Sequence, residues 1–270
     1  MALELPEGME LMRDVSAAAW VTEALWPWGW SPTEGEGPTR VGSFLPAVFD
    51  AYARVLNPAG EDRTTRWRDI AASNGVELRP ESTFADICGI DPDDARALDR
   101  AVPLSGCLPD EETRALSRLL EGFTTTPERC WFCIWVGQGF WWHGAHSIFV
   151  SGTEGTRVHR EELAAHERRS KEVDAIMRRV PQVHARSREY FLFRGWVRLA
   201  DAFPPIEGRW FQSPNIWWPE DRAWCAITEV DGYSSYVGGT RACIDAVLAS
   251  SELETIEVSP EHRIGDEALR

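Results

Sequence analysis

The chain has 270 residues, 43% of them hydrophobic, enough to bury the core of one large domain or of two small ones. Its 43 acidic residues against 28 basic ones give a formal charge of -15, which repels phosphate backbones and anionic lipid, so no nucleic acid and no membrane is expected as a partner. The arginines are interspersed with the acids and dense acidic runs are absent, which also speaks against a DNA mimic.

Lys171 is the only lysine among the bases, a bias expected of a GC-rich genome. The amino-terminal stretch 1–15 has acids where a secretory signal needs bases, and no run approaches the roughly 18 apolar residues of a membrane span. A cytoplasmic protein is expected. Six dispersed cysteines predict reduced thiols. Cys130 and Cys133 form a CxxC with no second ligand pair, and on a strand they point to opposite faces, so core cysteine is favoured over a metal or redox site.

Residues 13–25 predict a first helix from Val15, Ala18, Ala19, Val21, Thr22 and Leu25. The segment that follows sets Trp26, Trp28 and Trp30 at alternate positions among prolines and glycines. It reads as a loop whose indoles either cap the core from outside or form a contact surface for a partner or sugar. From Pro46, the spacing of Ala47, Val48, Ala51, Tyr52 and Val55 predicts a helix closed by Asn57-Pro58. Further helices are predicted over 65–73, from the Asp91-Pro92 cap, and from Pro109 through Leu116, Leu119, Leu120 and Phe123.

The character changes at Cys130. The apolar runs 131–136 and 190–197 predict buried strands, 147–150 a shorter one, and 160–180 a solvated surface helix. Gly137-Gln138-Gly139 lacks the context of a phosphate loop, and His143 and His146 lack nearby carboxylates, so neither a nucleotide, a metal nor any other cofactor is expected. The glycine-rich region 139–160 predicts a mobile loop.

The richest stretch is 213–240. Pro219 presets a turn through Glu220, Asp221 and Arg222, and 223–230 alternates two apolar faces as in a central strand. Asp231-Gly232 is a turn signal, while Gly238 and Gly239 mark positive φ or close backbone approach. Thr240 caps a helix over 240–250, 253–258 reads as an edge strand, and the last dozen residues as a frayed tail.

The stretches 45–60, 66–75, 129–139, 187–196 and 213–240 resemble a family of uncharacterised actinobacterial proteins. That resemblance implies a shared fold and a bacterial cytoplasmic setting, and no mechanism. The proline-led stretch 46–60 is also similar to the SUKH superfamily, many of whose members are immunity proteins against secreted toxins.

The expected architecture is α+β: one domain over 1–270, with a helical N-terminal half (1–127), a mixed, mainly antiparallel sheet with flanking helices over 128–258, and a tail over 259–270. Two functions compete. One is a non-catalytic module, such as a toxin-neutralising or regulatory protein, whose acidic, aromatic face binds a basic protein partner. The other is an enzyme or binding protein for a carbohydrate or small metabolite in a cleft beside Trp217 and Trp218. There Glu229 and Asp231 stand two apart on a strand, roughly 6 to 7 Å between α-carbons. The candidate ligand or partner-binding residues are Trp217, Trp218, Asp221, Arg222, Glu229, Asp231, Tyr236, Gly238 and Gly239, with Glu220 a further candidate for proton transfer.

Overall fold

A computed structural model describes residues 5–60, 62–89, 102–137, 179–185, 188–203 and 211–264. Its centre is a nine-stranded sheet in which every pairing is antiparallel. In spatial order the strands are β1 (Glu10–Leu11), β7 (Arg188–Gly195), β5 (Cys130–Trp135), β8 (Ile216–Pro219), β9 (Trp224–Thr228), β10 (Ser234–Gly239), β4 (Ala51–Leu56) and β11 (Thr255–Val258). β6 (Val183–Ala185) pairs with the end of β7, and a separate hairpin joins β2 (Trp30–Ser31) to β3 (Gly35–Glu36).

The alternation of side chains along each strand divides the core in two. Cys130, Phe132, Ile134, Trp217, Trp224, Ala226 and Val237 face α4 (Asp110–Glu121) and α5 (Arg241–Leu248). Trp131, Cys133, Ile216, Trp218, Cys225, Ile227 and Tyr236 face the amino-terminal segment, through Ala18, Val21, Val41, Phe44 and Leu45. A third cluster gathers Leu56, Trp67, Phe84 and Ile87 around α2 (Trp67–Ser73) and α3 (Phe84–Cys88).

β9 is buried on both faces and lies near the middle of the sheet, as its two apolar faces predicted. Thr240 caps α5 by accepting from the Cys243 N–H at 3.3 Å, and β11 is an edge strand. Three acids, Asp110, Glu111 and Glu112, sit in the first turn of α4, where its dipole favours them. The first predicted helix is shorter than expected, a 3-10 turn at Ser16–Ala18 followed by α1 (Ala19–Glu23).

Two expectations are overturned. The first half is not a helical unit, because β1 and β4 belong to the sheet and the helices are spread through the chain. Residues 46–56 are a turn and the fully buried strand β4, not a helix, so the helix behind the SUKH similarity is a strand. Ala51, Ala53 and Val55 pack toward one core and Tyr52 toward the other, and β10 and β11 flank β4. Arg54 lies within this strand with 4% exposure. It donates to Ser234 Oγ at 3.0 Å and to the carbonyls of Pro80 and Ser82 at 3.0 and 2.8 Å, which makes a mid-strand charge tolerable.

Part of the expected tail is ordered. Residues 260–264 run along 39–42, with the Val41 N–H donating to His262 O and the Ile264 N–H to Thr39 O. The helix predicted from Asp91, the helix predicted over 160–180 apart from its last two residues, the strand at 147–150, the loop 139–160 and the pair His143 and His146 lie outside the described residues. No described helix is long and apolar enough to cross a membrane.

Candidate functional site

The residues expected to converge beside β9 divide between its faces and its ends. Trp217 and Trp218 are neighbours on β8 and so point to opposite sides of the sheet, where both are buried. Trp217 packs edge-on against Trp224 at 5.2 Å, and Trp218 edge-on against Trp20 at 6.0 Å. They do not line a shared cleft. Tyr236 is buried beneath the Arg54 guanidinium, 5.9 Å away.

Gly238 and Gly239 serve close approach and not positive φ. A Cβ on Gly238 would stand 2.5 Å from the Phe49 ring, and one on Gly239 would stand 3.2 Å from Cys243 Sγ.

At the start of β9, Asp221 ties the β8–β9 turn to the loop after α4. Its carboxylate accepts from the Thr124 hydroxyl at 2.8 Å and from the Thr125 N–H and hydroxyl at 2.7 Å each. Burial raises its carboxyl, but these donors outweigh burial and hold it below the usual aspartate range. Arg222, at φ 57°, stacks over Trp20 at 5.2 Å. Glu220 accepts from the Trp131 indole N–H at 2.7 Å. Each member of the turn therefore has a structural partner.

Glu229 and Asp231 lie beyond the other end of β9, about 23 Å along the strand from Arg222. The Arg188 guanidinium binds both, at 2.7 Å to Glu229 and 2.6 Å to Asp231, and stacks over Trp135 at 5.2 Å. Burial pushes the Glu229 carboxyl up, against the opposing pull of Arg188. A carboxylate pair clamped by one arginine lacks the uncommitted nucleophile and acid that paired-carboxylate hydrolysis requires. The thiols are equally occupied with packing: Cys107, Cys130, Cys133, Cys225 and Cys243 are buried, and burial raises each of them. Among the described residues no three His, Cys, Asp or Glu side chains gather as a metal ion would need.

The large apolar groups that do reach solvent lie elsewhere. Trp28 and Trp30 are 52% and 37% exposed on residues 26–37, the loop carrying the β2–β3 hairpin. This loop is pinned at several points. The Trp26 N–H donates to Gly42 O at 2.9 Å, the Gly37 N–H to Gly29 O at 2.7 Å, and the Ser43 hydroxyl to Pro27 O at 3.1 Å. Gly29 takes φ +65°, where a Cβ would also strike Gly37 O at 2.9 Å, so the close turn requires glycine. The buried Arg40 guanidinium pairs with Glu34 and donates to Glu261 O at 2.5 Å.

No family model, curated protein or solved structure matches this chain. The site therefore rests on its own geometry.

Trp30 and Glu36 are directly opposite across the hairpin, so an exposed indole and an exposed carboxylate share one face. Sequence reasoning left these tryptophans between cap and contact surface. It missed Arg40, which joins nearby Glu34 to distant Glu261, and Arg188, whose partners Glu229 and Asp231 lie at another strand's end. It also missed a groove of about 600 Å³ lined by Val76, Glu77, Arg79, Glu81, Asp86 and His262, among others.

Proposed function

We propose that this protein is a non-catalytic binding module that docks a basic protein partner on the Trp28–Trp30 loop. The observation that carries this reading is the fixing of exposed indoles by backbone and side-chain bonds before any partner arrives. A loop already ordered loses little entropy on binding, and tryptophan is the residue most often found as an interface anchor. Glu34 and Glu36 flank the indoles, and the charge of -15 steers a cationic partner toward the molecule. A cationic toxin or a basic regulatory protein would be a partner of this class.

The test uses fluorescently labelled arginine-rich and glutamate-rich peptides of equal length, read by anisotropy. The arginine-rich peptide is expected to bind, and replacing Trp28 and Trp30 together by alanine is expected to weaken it at least about tenfold. Equal binding of both peptides, or an unchanged affinity in the double variant, rejects the reading.

A further inference from the structure

The Trp28–Trp30 loop and the groove hang from one short ladder. Arg40 holds Glu34 of the loop with one end of its guanidinium and the Glu261 carbonyl with the other, and the next residue, His262, lines the groove. Arg40 also bridges to Arg263, whose N–H donates to Glu81 Oε1 at 2.8 Å on the groove wall. A partner segment that touches Glu34 is thus one guanidinium away from the groove's rim.

The groove has a mixed lining suited to a long cationic side chain. Val76 and Pro80 offer apolar wall to a methylene stem. Glu77, Glu81 and Asp86 set three carboxylates against one guanidinium, that of Arg79. Each carboxylate has one oxygen engaged: Glu77 Oε2 by Arg79 at 2.8 Å, Glu81 Oε1 by Arg263 and Asp86 Oδ2 by the Thr83 N–H at 2.8 Å. Among the described residues, the second oxygen of each takes no protein hydrogen bond. The wall is held from behind by Arg54, through the carbonyls of Pro80 and Ser82.

Three carboxylates, each with one oxygen not engaged by a described donor, match a planar group with several N–H donors better than a point charge, which favours guanidinium over ammonium. The exposed pairing on the hairpin makes the same choice. A guanidinium stacked on the Trp30 face could fork to Glu36, and the protein uses this stacking internally, with Arg198 over Trp196 at 4.8 Å and Arg188 over Trp135 at 5.2 Å.

Resting on the binding-module reading, we infer that the partner's docking segment is arginine-rich, with one arginine on Trp30 and Glu36 and another in the groove of Glu77, Glu81, Asp86 and His262. The probe is one peptide sequence made in three versions, with arginine, lysine or citrulline at the basic positions. The arginine version is expected to bind about tenfold tighter than the lysine version and the citrulline version weakest, the scale of one charge-assisted bidentate contact.

Combining Glu77→Gln with Glu81→Gln is expected to remove the arginine-over-lysine preference. The His262 ring resonances, assigned by His262→Gln, are expected to shift on adding the arginine peptide to the unmutated protein. If the glutamine variant keeps the preference, or the His262 resonances stay put while Trp28→Ala/Trp30→Ala abolishes binding, the groove assignment fails and the binding-module reading stands. If neither set of variants changes the affinity, both fail.

Discussion

Glu254 caps a helix that Trp67 begins 187 residues earlier in the chain. The Trp67 N–H donates to Glu254 Oε2 at 2.7 Å and the Arg68 N–H to Oε1 at 2.8 Å, while Arg66 at the cap position itself makes no side-chain cap. One 5% exposed carboxylate thereby satisfies two helix-end donors and joins α2 to the start of β11. Glu254→Ala is expected to lower stability by about 2 kcal/mol, since it leaves a buried donor without an acceptor. Glu254→Gln keeps one acceptor oxygen and is expected to lose about 1 kcal/mol. Urea midpoints for the two variants check this, and equal losses would contradict the capping role.

That bond also marks what the sequence could not disclose. β5, β7 and β9 were legible because continuous apolar runs have one plausible home, and α4 and α5 because their start signals, the acids after Pro109 and the Thr240 cap, are local. β4 was not legible. Its six residues are too few to separate a period of 3.6 from one of 2, and its partners β10 and β11 arrive about 180 and about 200 residues later. The site suffered from the same distance: Arg188 reaches Glu229 and Asp231, and the groove combines residues near 80 with His262. The splitting of Trp217 from Trp218 was legible in principle, because adjacent strand residues always face apart. It was obscured by starting the strand at 223 and leaving both indoles, which precede the Pro219 turn, without an element of their own.

Asp221 joins the β8–β9 turn to the loop after α4 from both ends: its carboxylate holds Thr124 and Thr125, and the Thr126 hydroxyl accepts from the Asp221 N–H at 3.2 Å. Because its folded carboxyl sits below the usual aspartate range, its contribution is present above the unfolded value, about pH 4, and is lost as pH falls through the folded value. Asp221→Ala is expected to be less stable by about 1 kcal/mol at neutral pH. The gap should close on acidification. Thermal melts of both proteins across the acid range test the sign, and a gap that widens toward low pH would exclude it.

Thiol reactivity follows burial. Cys130 and Cys133, though spaced as a redox pair, lie in opposite cores, and burial raises both thiols and so suppresses the reactive thiolate. Cys88 on α3 is the half-buried exception. A thiol-reactive disulfide reagent is expected to modify Cys88 first in the native protein and all six cysteines in denaturant. Cys88→Ser should remove the fast phase. A fast phase that persists, mapped by peptide mass to Cys130 or Cys133, would mean that the sheet opens under native conditions.

Arg188 and Glu229 give a dependence on pH of the opposite sign to that of Asp221. Burial raises the Glu229 carboxyl despite the guanidinium at 2.7 Å, so protonation favours the folded state at this position. The sign follows: the stability linked to Glu229 is fully present below the unfolded glutamate value, about pH 4, and is lost as pH rises through the folded value. Relative to Glu229→Gln, the unmutated protein should therefore gain stability as pH falls toward 4, about where the unfolded carboxyl also titrates. Arg188→Met removes the group that opposes burial and leaves a largely buried carboxylate without its partner, an expected loss of about 2 kcal/mol at neutral pH. Protonation of Glu229 should recover part of that loss in acid. Chemical denaturation of the three proteins at several pH values measures both effects. An Arg188→Met deficit that stays constant with pH would show that the arginine acts through packing on Trp135 and not through its charge.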